Sequence, residues 1–534
     1  MSWQRLLMFL LAFSLTSVGC DGEPTTTTDS GTPPRTDAGG PDGSTPDDPD
    51  GGSPDGSTPD DPTEVTVKRG LRYHTAAGVE TVADTSAPPE LFILDGTSLR
   101  RIDGAATDEG NHRFTGIPAG TPYYLKSGLD YVVTDARVVD LSLDVLGRPD
   151  AGLASDSGDV AALLDVSGLE PLTSERRVSL LPPFELISDE VAFLGYLYPD
   201  MDLSPGQSTY AGEGRLYNSA PGFPRFIAER GDRAWVNQFA PRETGPLPDG
   251  GTLGYEAVVR SLQLPPFSHD DGTPLEVRGA FQPAPMTDIS LDWRLSAFAA
   301  HAPAAHPGAT SSTSDFVVFP AAYGLEYGWV GNSGELLALN LPRGTTEDLA
   351  LPLSHGNPFP STWGVVGRAT HGFRYPATLS NGAAVTLGAS IESRDRMPAL
   401  VAGAIVPRIS PPRGLAIDGQ DAYVARELEG SPVVSWTPPE LGAPSLYTLR
   451  LVRFDDPLPG STQPRSVIVA RFHLPGAARA VQLPAGILQP GKDHLLGLVA
   501  NTSPGVDLSS APLVTGNRIP LYSASTVSAV LTTP

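Results

Sequence analysis

Few residues in this 534-residue chain have the types and spacing that chemistry needs. Cys20 is its single cysteine, so neither an internal disulfide nor a multi-thiolate metal site can form, and no cofactor is implied. Nine histidines are scattered through it. His269-Asp270-Asp271 and the pair His301/His306 come nearest to metal-ligand spacing, but no His-Glu-x-x-His pattern accompanies them. The reading is therefore no metal site, with His269 in a turn. His74 and His112 fall near strand ends, where surface or capping roles are expected. Gly331-Asn332-Ser333-Gly334 has a nucleophile elbow's outline, yet Glu335 stands where the last glycine belongs. A hairpin turn explains it better. Carboxylates are abundant, and a glycosidase would need two of them a defined distance apart, which a linear sequence does not disclose. Asp47-Asp48-Pro49-Asp50-Gly51 lacks the alternating ladder and closing Glu of a calcium loop.

Cys20 carries the clearest signal. Arg5 precedes an apolar run, Leu6 to Phe13, followed by small or uncharged residues through Gly19. The segment Ser17-Val18-Gly19-Cys20 resembles the signal of bacterial lipoproteins, although Leu is usual where Ser17 stands. The resemblance implies a diacylglyceryl thioether on Cys20, cleavage between Gly19 and Cys20, and an acylated, palmitate-type anchor in the cell envelope. Two or more acyl chains anchor stably, since each buried methylene contributes about 0.8 kcal/mol. The apolar run is shorter than the ~20 residues of a membrane span. Asp21 follows the cysteine; the outer membrane is favoured over the inner, with surface exposure.

Residues 21–63 hold ten Asp, one Glu and one Arg among Gly, Pro, Ser and Thr. Pro-Asp-Gly-Ser-Thr-Pro-Asp-Asp-Pro occurs twice, at 41–49 and 54–62. Nothing in this linker can bury apolar area, so a disordered, extended acidic tether is expected. The whole chain carries a formal charge of −25, which argues against nucleic acid as a partner. Its 57 Gly and 55 Pro suit short strands and frequent turns rather than long helices.

The elements that must position any site read as all-β, a tandem series of β-sandwiches. The first unit is 64–150. Leu91-Phe92-Ile93-Leu94 runs into a hairpin signal at Asp95-Gly96, and Val139, Leu141, Leu143 and Val145 alternate as on one half-buried strand. Phe114-Thr115-Gly116-Ile117-Pro118-Ala119-Gly120 with Tyr123-Tyr124-Leu125 resembles the carboxypeptidase-regulatory or prealbumin-like β-sandwich, which implies a structural unit without catalytic residues. The middle, 151–405, reads as one large or two small sandwiches, and no propeller-type repeat is found. Within it 159–164 and 293–301 are expected as short helices, and Leu325, Tyr327 and Trp329 as an alternating strand returning through Leu336–Leu339. His355 to Trp363 is expected as a packed aromatic turn.

The last unit is 408–534. Pro411-Pro412-Arg413-Gly414-Leu415, Val433-Val434-Ser435-Trp436-Thr437, the alternating Tyr447, Leu449 and Leu451, and Leu488 through Ala500 resemble a fibronectin type III domain. That resemblance implies that Trp436 is core and that His494 stands at the position of the corner tyrosine. These features together read as a membrane-anchored surface lipoprotein with a binding, adhesion or structural role towards a glycan or protein ligand. The alternative is an envelope-associated hydrolase, for example a glycosidase, with its site in 151–405.

Overall fold

The computed structural model describes residues 63–534, apart from 85, 97, 108–109, 156–158, 172–180, 182, 190, 192, 218–221, 246, 248–250, 271 and 332–333. Signal, Cys20 and the linker through residue 62 lie outside the described residues, as do Asn332 and Ser333 of the elbow-like run. The protein is all-β, built of stacked sheets around several apolar cores.

In the first unit, alternation makes strand β1, Val65–Lys68, with both valines fully buried. Strand β2 is Leu71–Thr75, and β3, Tyr123–Ser127, turns into β4, Asp130–Thr134. The Asp95-Gly96 hairpin is present, its glycine at φ 61°. The alternating run through Val145 is two strands rather than one: β5, Val138–Asp140, pairs in parallel with β1, and β6, Leu143–Leu146, in parallel with β2. The break is chemical. The Asp140 carboxylate takes the Ser142 N–H at 2.8 Å, a local bond that competes with the ladder.

In the middle, the expected helix at 159–164 is strand β7, Asp159–Ser167. Val160, Ala162, Leu164 and Val166 are buried and their neighbours face outwards, because β7 pairs on both sides and its apolar partners impose a period of two. A sandwich core follows from β7, β8 (Phe184–Ile187), β9 (Phe193–Pro199), β10 (Thr209–Tyr217), β11 (Ala234–Glu243), β12 (Gly254–Leu264) and β13 (Leu275–Ala280). Over 293–301, Trp293 ends a strand and only α1, Leu295–Ala299, is helical, continued by α2, Ala302–Ala305. Leu325–Tyr327 is a 3-10 turn rather than a strand, bracketed by Gly324 at φ 96° and Gly328 at φ 68°, conformations that end a ladder. The Leu336–Leu339 run lies in a strand as expected, but that strand pairs with Ser314–Val318 and not with 325–329. These strands are β14, Thr310–Ala321, and β15, Leu337–Leu341; β16, Gly364–Thr378, and β17, Ala384–Arg396, form a long hairpin closed at Asn381-Gly382.

In the last unit, β18 is Val433–Thr437, β19 Leu446–Asp455, β20 Arg465–Pro475, β21 Asp493–Thr502 and β22 Leu521–Val527. Three seams join the units. β17 pairs with β22, Ile391 opposite Ala524. β20 pairs in parallel with β4, where Asp130 accepts from Arg471 at 2.8 and 2.9 Å and lies 2.8 Å from His473 Nε2. Arg148 holds the fully buried Asp232 with two bonds, at 3.1 and 2.7 Å. The largest core runs through the second seam, from Tyr124 to Leu531, and includes Trp436 packed edge-on against Tyr447 at 5.2 Å.

Trp436 is core, as expected, and its truncation should cost about 3–5 kcal/mol. Urea unfolding of Trp436→Ala measures this; a loss below about 1 kcal/mol would show that the ring is not packed as described.

Candidate functional site

Most histidines are buried side chains, which overturns the surface roles expected for His74. Its ring stacks on Trp329 at 4.3 Å, and its Nε2 is 2.8 Å from Asp144, so it ties the first unit to the middle. His112 opens the short strand His112–Phe114, near a strand end as expected, and is half-buried opposite Val67. His269 forms an antiparallel bridge with Phe226 and meets Phe223 edge-on at 5.4 Å. His306 stacks on Tyr375 at 3.6 Å and is not drawn to His301 by any shared ligand geometry; burial lowers the pKa of both. Among the described residues no group of three or more His, Cys, Asp or Glu is placed to hold a metal ion. His494 is fully buried. Its Nε2 accepts the Gln489 N–H at 3.4 Å, so the imidazole acts there as acceptor. The aromatic turn is packed as expected: Phe359 stacks on Trp363 at 4.5 Å, and Trp235 meets both rings edge-on.

Sequence reasoning missed the most unusual constellation, a carboxyl pair inside the middle unit. Glu185, in β8, is fully buried. Its two oxygens accept the backbone N–H of Glu335 at 3.1 and 3.2 Å. Gly334 makes this approach feasible, since a Cβ there would collide with the Glu185 carboxyl. The Glu335 carboxylate accepts from Tyr196 Oη at 2.8 Å and also hydrogen-bonds the Glu185 carboxyl. Burial, then the adjacent Glu335 charge, push the Glu185 pKa well above the ordinary carboxyl range. Burial likewise raises the Tyr196 phenol. Only the register of β8 against its neighbours brings Glu185 and Tyr196 together, 150 residues in sequence from Glu335 in the first case.

Beside this pair, one face of the main sheet carries an ionic row. Arg368 on β16 stands opposite Arg394 on β17, and Asp315 on β14 opposite Thr370, itself opposite Glu392. Arg368 donates to Asp315 at 3.3 Å, and Arg394 pairs with Glu392 at 2.7 Å. Burial raises the Asp315 pKa and lowers those of Arg394 and Arg450. The opposite face, with Phe316, Ala369, Ile391 and Ala524, packs into the largest core.

A retaining glycosidase holds its two carboxyls about 5–5.5 Å apart, and an inverting one further, so that sugar or water fits between them. Glu185 and Glu335 are instead in hydrogen-bond contact with each other. Two shallow cavities, of ≈ 300 and ≈ 290 Å³, lie elsewhere. The first is lined by residues including Asp159, His269 and Thr273, the second by residues including Ser380, Arg426 and Thr532. The arrangement can hold and release a proton. It does not have the geometry of glycoside hydrolysis.

No family model matches the chain, and no curated protein matches it. Among solved structures, it has a likeness to a putative adhesin from Bacteroides ovatus, at TM-score 0.14 and 7% identity over 46% of this chain and 86% of that one. The FN1-FN3 domains of chicken CNTN1 give 0.13 and 9% over 65% and 99%, and a streptococcal ancillary pilin 0.11 and 10% over 61% and 95%. Scores this low carry no argument about function; the fold class rests on the sheets themselves.

Among the buried histidines, His371 sits on the core face of β16 between Ser311 and Ser314, at 3.1 and 2.9 Å. Burial lowers its pKa from 6.5 to about 4. The stability this represents is full above pH 6.5 and is lost as pH falls towards 4, about 3 kcal/mol in all. Urea unfolding at pH 7 and pH 4 should show a smaller acid loss for His371→Gln than for wild type by roughly that amount; equal losses would refute the assignment.

Proposed function

We propose that the chain is a lipid-anchored protein of the bacterial cell surface, in which the acidic linker holds an interlocked β body away from the membrane for a binding or structural role. The observation that carries this reading is the set of seams. Sheet pairing at β4–β20 and β17–β22, with the bond from Arg148 to the buried Asp232 and the half-buried Asp130–Arg471 contact, makes the folded part a single piece suited to presenting surface rather than to closing on a substrate. The Cys20 signal supports the anchor, and the acidic composition supports a partner that is not nucleic acid. No helix among the described residues is long and apolar enough to cross a membrane, so in this reading attachment falls to the lipid on Cys20. The units 64–150 and 408–534 are carboxypeptidase-regulatory-like and fibronectin type III-like spacers, and the ligand is a glycan or a protein. Outer-membrane placement belongs to the same proposal.

The experiment is intact mass and fractionation of native protein, wild type against Cys20→Ala. Wild type should begin at an acylated Cys20 and sediment with membranes, while the variant should be soluble. An unmodified, soluble wild type would refute the anchor and remove the reason for a tethered binder.

A further inference from the structure

We propose that Glu185 and Glu335 form a proton-dependent latch, which docks the Gly334–Glu335 segment onto β8 and releases it when the shared proton is lost. The inference is independent of the lipid anchor. Its basis is an imbalance of charge in a closed place. Glu185 has no exposed surface, and its carboxyl touches a second carboxyl. Facing the pair from β9 are Tyr196 and Tyr198, and from β11 Asn237, which Ser261 of β12 holds by its Oδ1 at 2.8 Å. From β16 comes Arg368, on the Glu335 side and committed to Asp315. Among the described residues, none of these groups gives Glu185 a cation. Two carboxyls in contact without one keep a single proton between them, and their titration belongs to the pair.

A second observation points to the other state. Asn237 lies directly opposite Glu185 in the β8–β11 register, so the two side chains share a face. Its Nδ2 is buried without a hydrogen-bond partner. An orphaned buried donor is costly. It becomes satisfied if an ionised Glu185 turns to it after the Glu335 N–H withdraws. Glu335 is the more exposed partner of the two, half-buried and preceded by Gly334, whereas Glu185 sits within a strand paired on both sides. The sign follows from the raised Glu185 value: the docked state holds at low pH and is lost as pH rises through that value.

The test is amide hydrogen exchange of the full chain between pH 5 and 9, corrected for intrinsic rates, on wild type, E335Q and Y196F. In wild type the protection of the Glu335 amide should fall at least about tenfold with rising pH, the equivalent of one pKa unit of coupling. E335Q, with no second carboxylate, should stay protected throughout. Y196F keeps both carboxyls and loses only the hydroxyl donated to the pair, which favours its ionised form, so its release should move to higher pH; this arm decides the matter if E335Q does not fold. Protection in wild type that does not change with pH, an unaltered response in E335Q, or a release midpoint unmoved in Y196F would overturn the latch. Loss of protection at pH 6 on adding EDTA would also overturn it, because a cation would then be doing the proton's work.

Discussion

Everything in the folded part depends on one sheet keeping both of its faces covered as it passes from unit to unit. The pairing of Ile391–Arg394 with Leu521–Ala524 carries it from the middle into the last unit, and Arg471–His473 with Asp130–Val132 carries it into the first. Alternation along each strand then sends Phe316, Ala369 and Ile391 to the core and Asp315, Arg368, Glu392 and Arg394 to the opposite side. On an isolated sandwich that opposite side would be solvated. Here it is largely closed over; Arg394 even donates to the Gly516 carbonyl of the segment covering it. Charges placed there must find each other, which is why acids and arginines stand in register.

This arrangement also explains how a chain with no disulfide holds several small sandwiches together. The cores confined to the first unit and to the β7–β13 sandwich are modest, and small cores are marginal by themselves. Sharing strands and buried ion pairs across the seams makes each unit's folding contribute to its neighbour's. The contribution is conditional: a buried pair left with one partner destabilises by about 3–5 kcal/mol. Arg148 with the fully buried Asp232 is a contact of that kind.

Legibility in the sequence followed the range of the interaction. Local signals read correctly: the Asp95-Gly96 hairpin, the packed aromatic turn before Trp363, and Trp436 as core. Errors came where distant partners decided. Asp-Val-Ala-Ala-Leu-Leu is compatible with a helix, and only pairing of β7 with β10 and β13 makes it a strand. His74 looked peripheral because nothing nearby in sequence announces Trp329. The acid pair was illegible for the same reason: Glu185 and Glu335 are unremarkable among 61 acidic residues until the fold places one carboxyl against the other's backbone. Gly334 was noticed only as part of an elbow-like run from which Glu335 departs. Its use is steric, giving a carboxyl access to the main chain.

The place where the linker enters the fold has a mechanical consequence. The first strand among the described residues, Val65–Lys68, is an interior one, with Val138–Asp140 running parallel on one side and His112–Phe114 antiparallel on the other. A force applied through residue 64 along the strand axis loads the hydrogen bonds of both ladders simultaneously, in shear. A strand at a sheet edge, pulled sideways, would instead lose its bonds one after another like a zip. The chain therefore takes up tension at a point built to resist it.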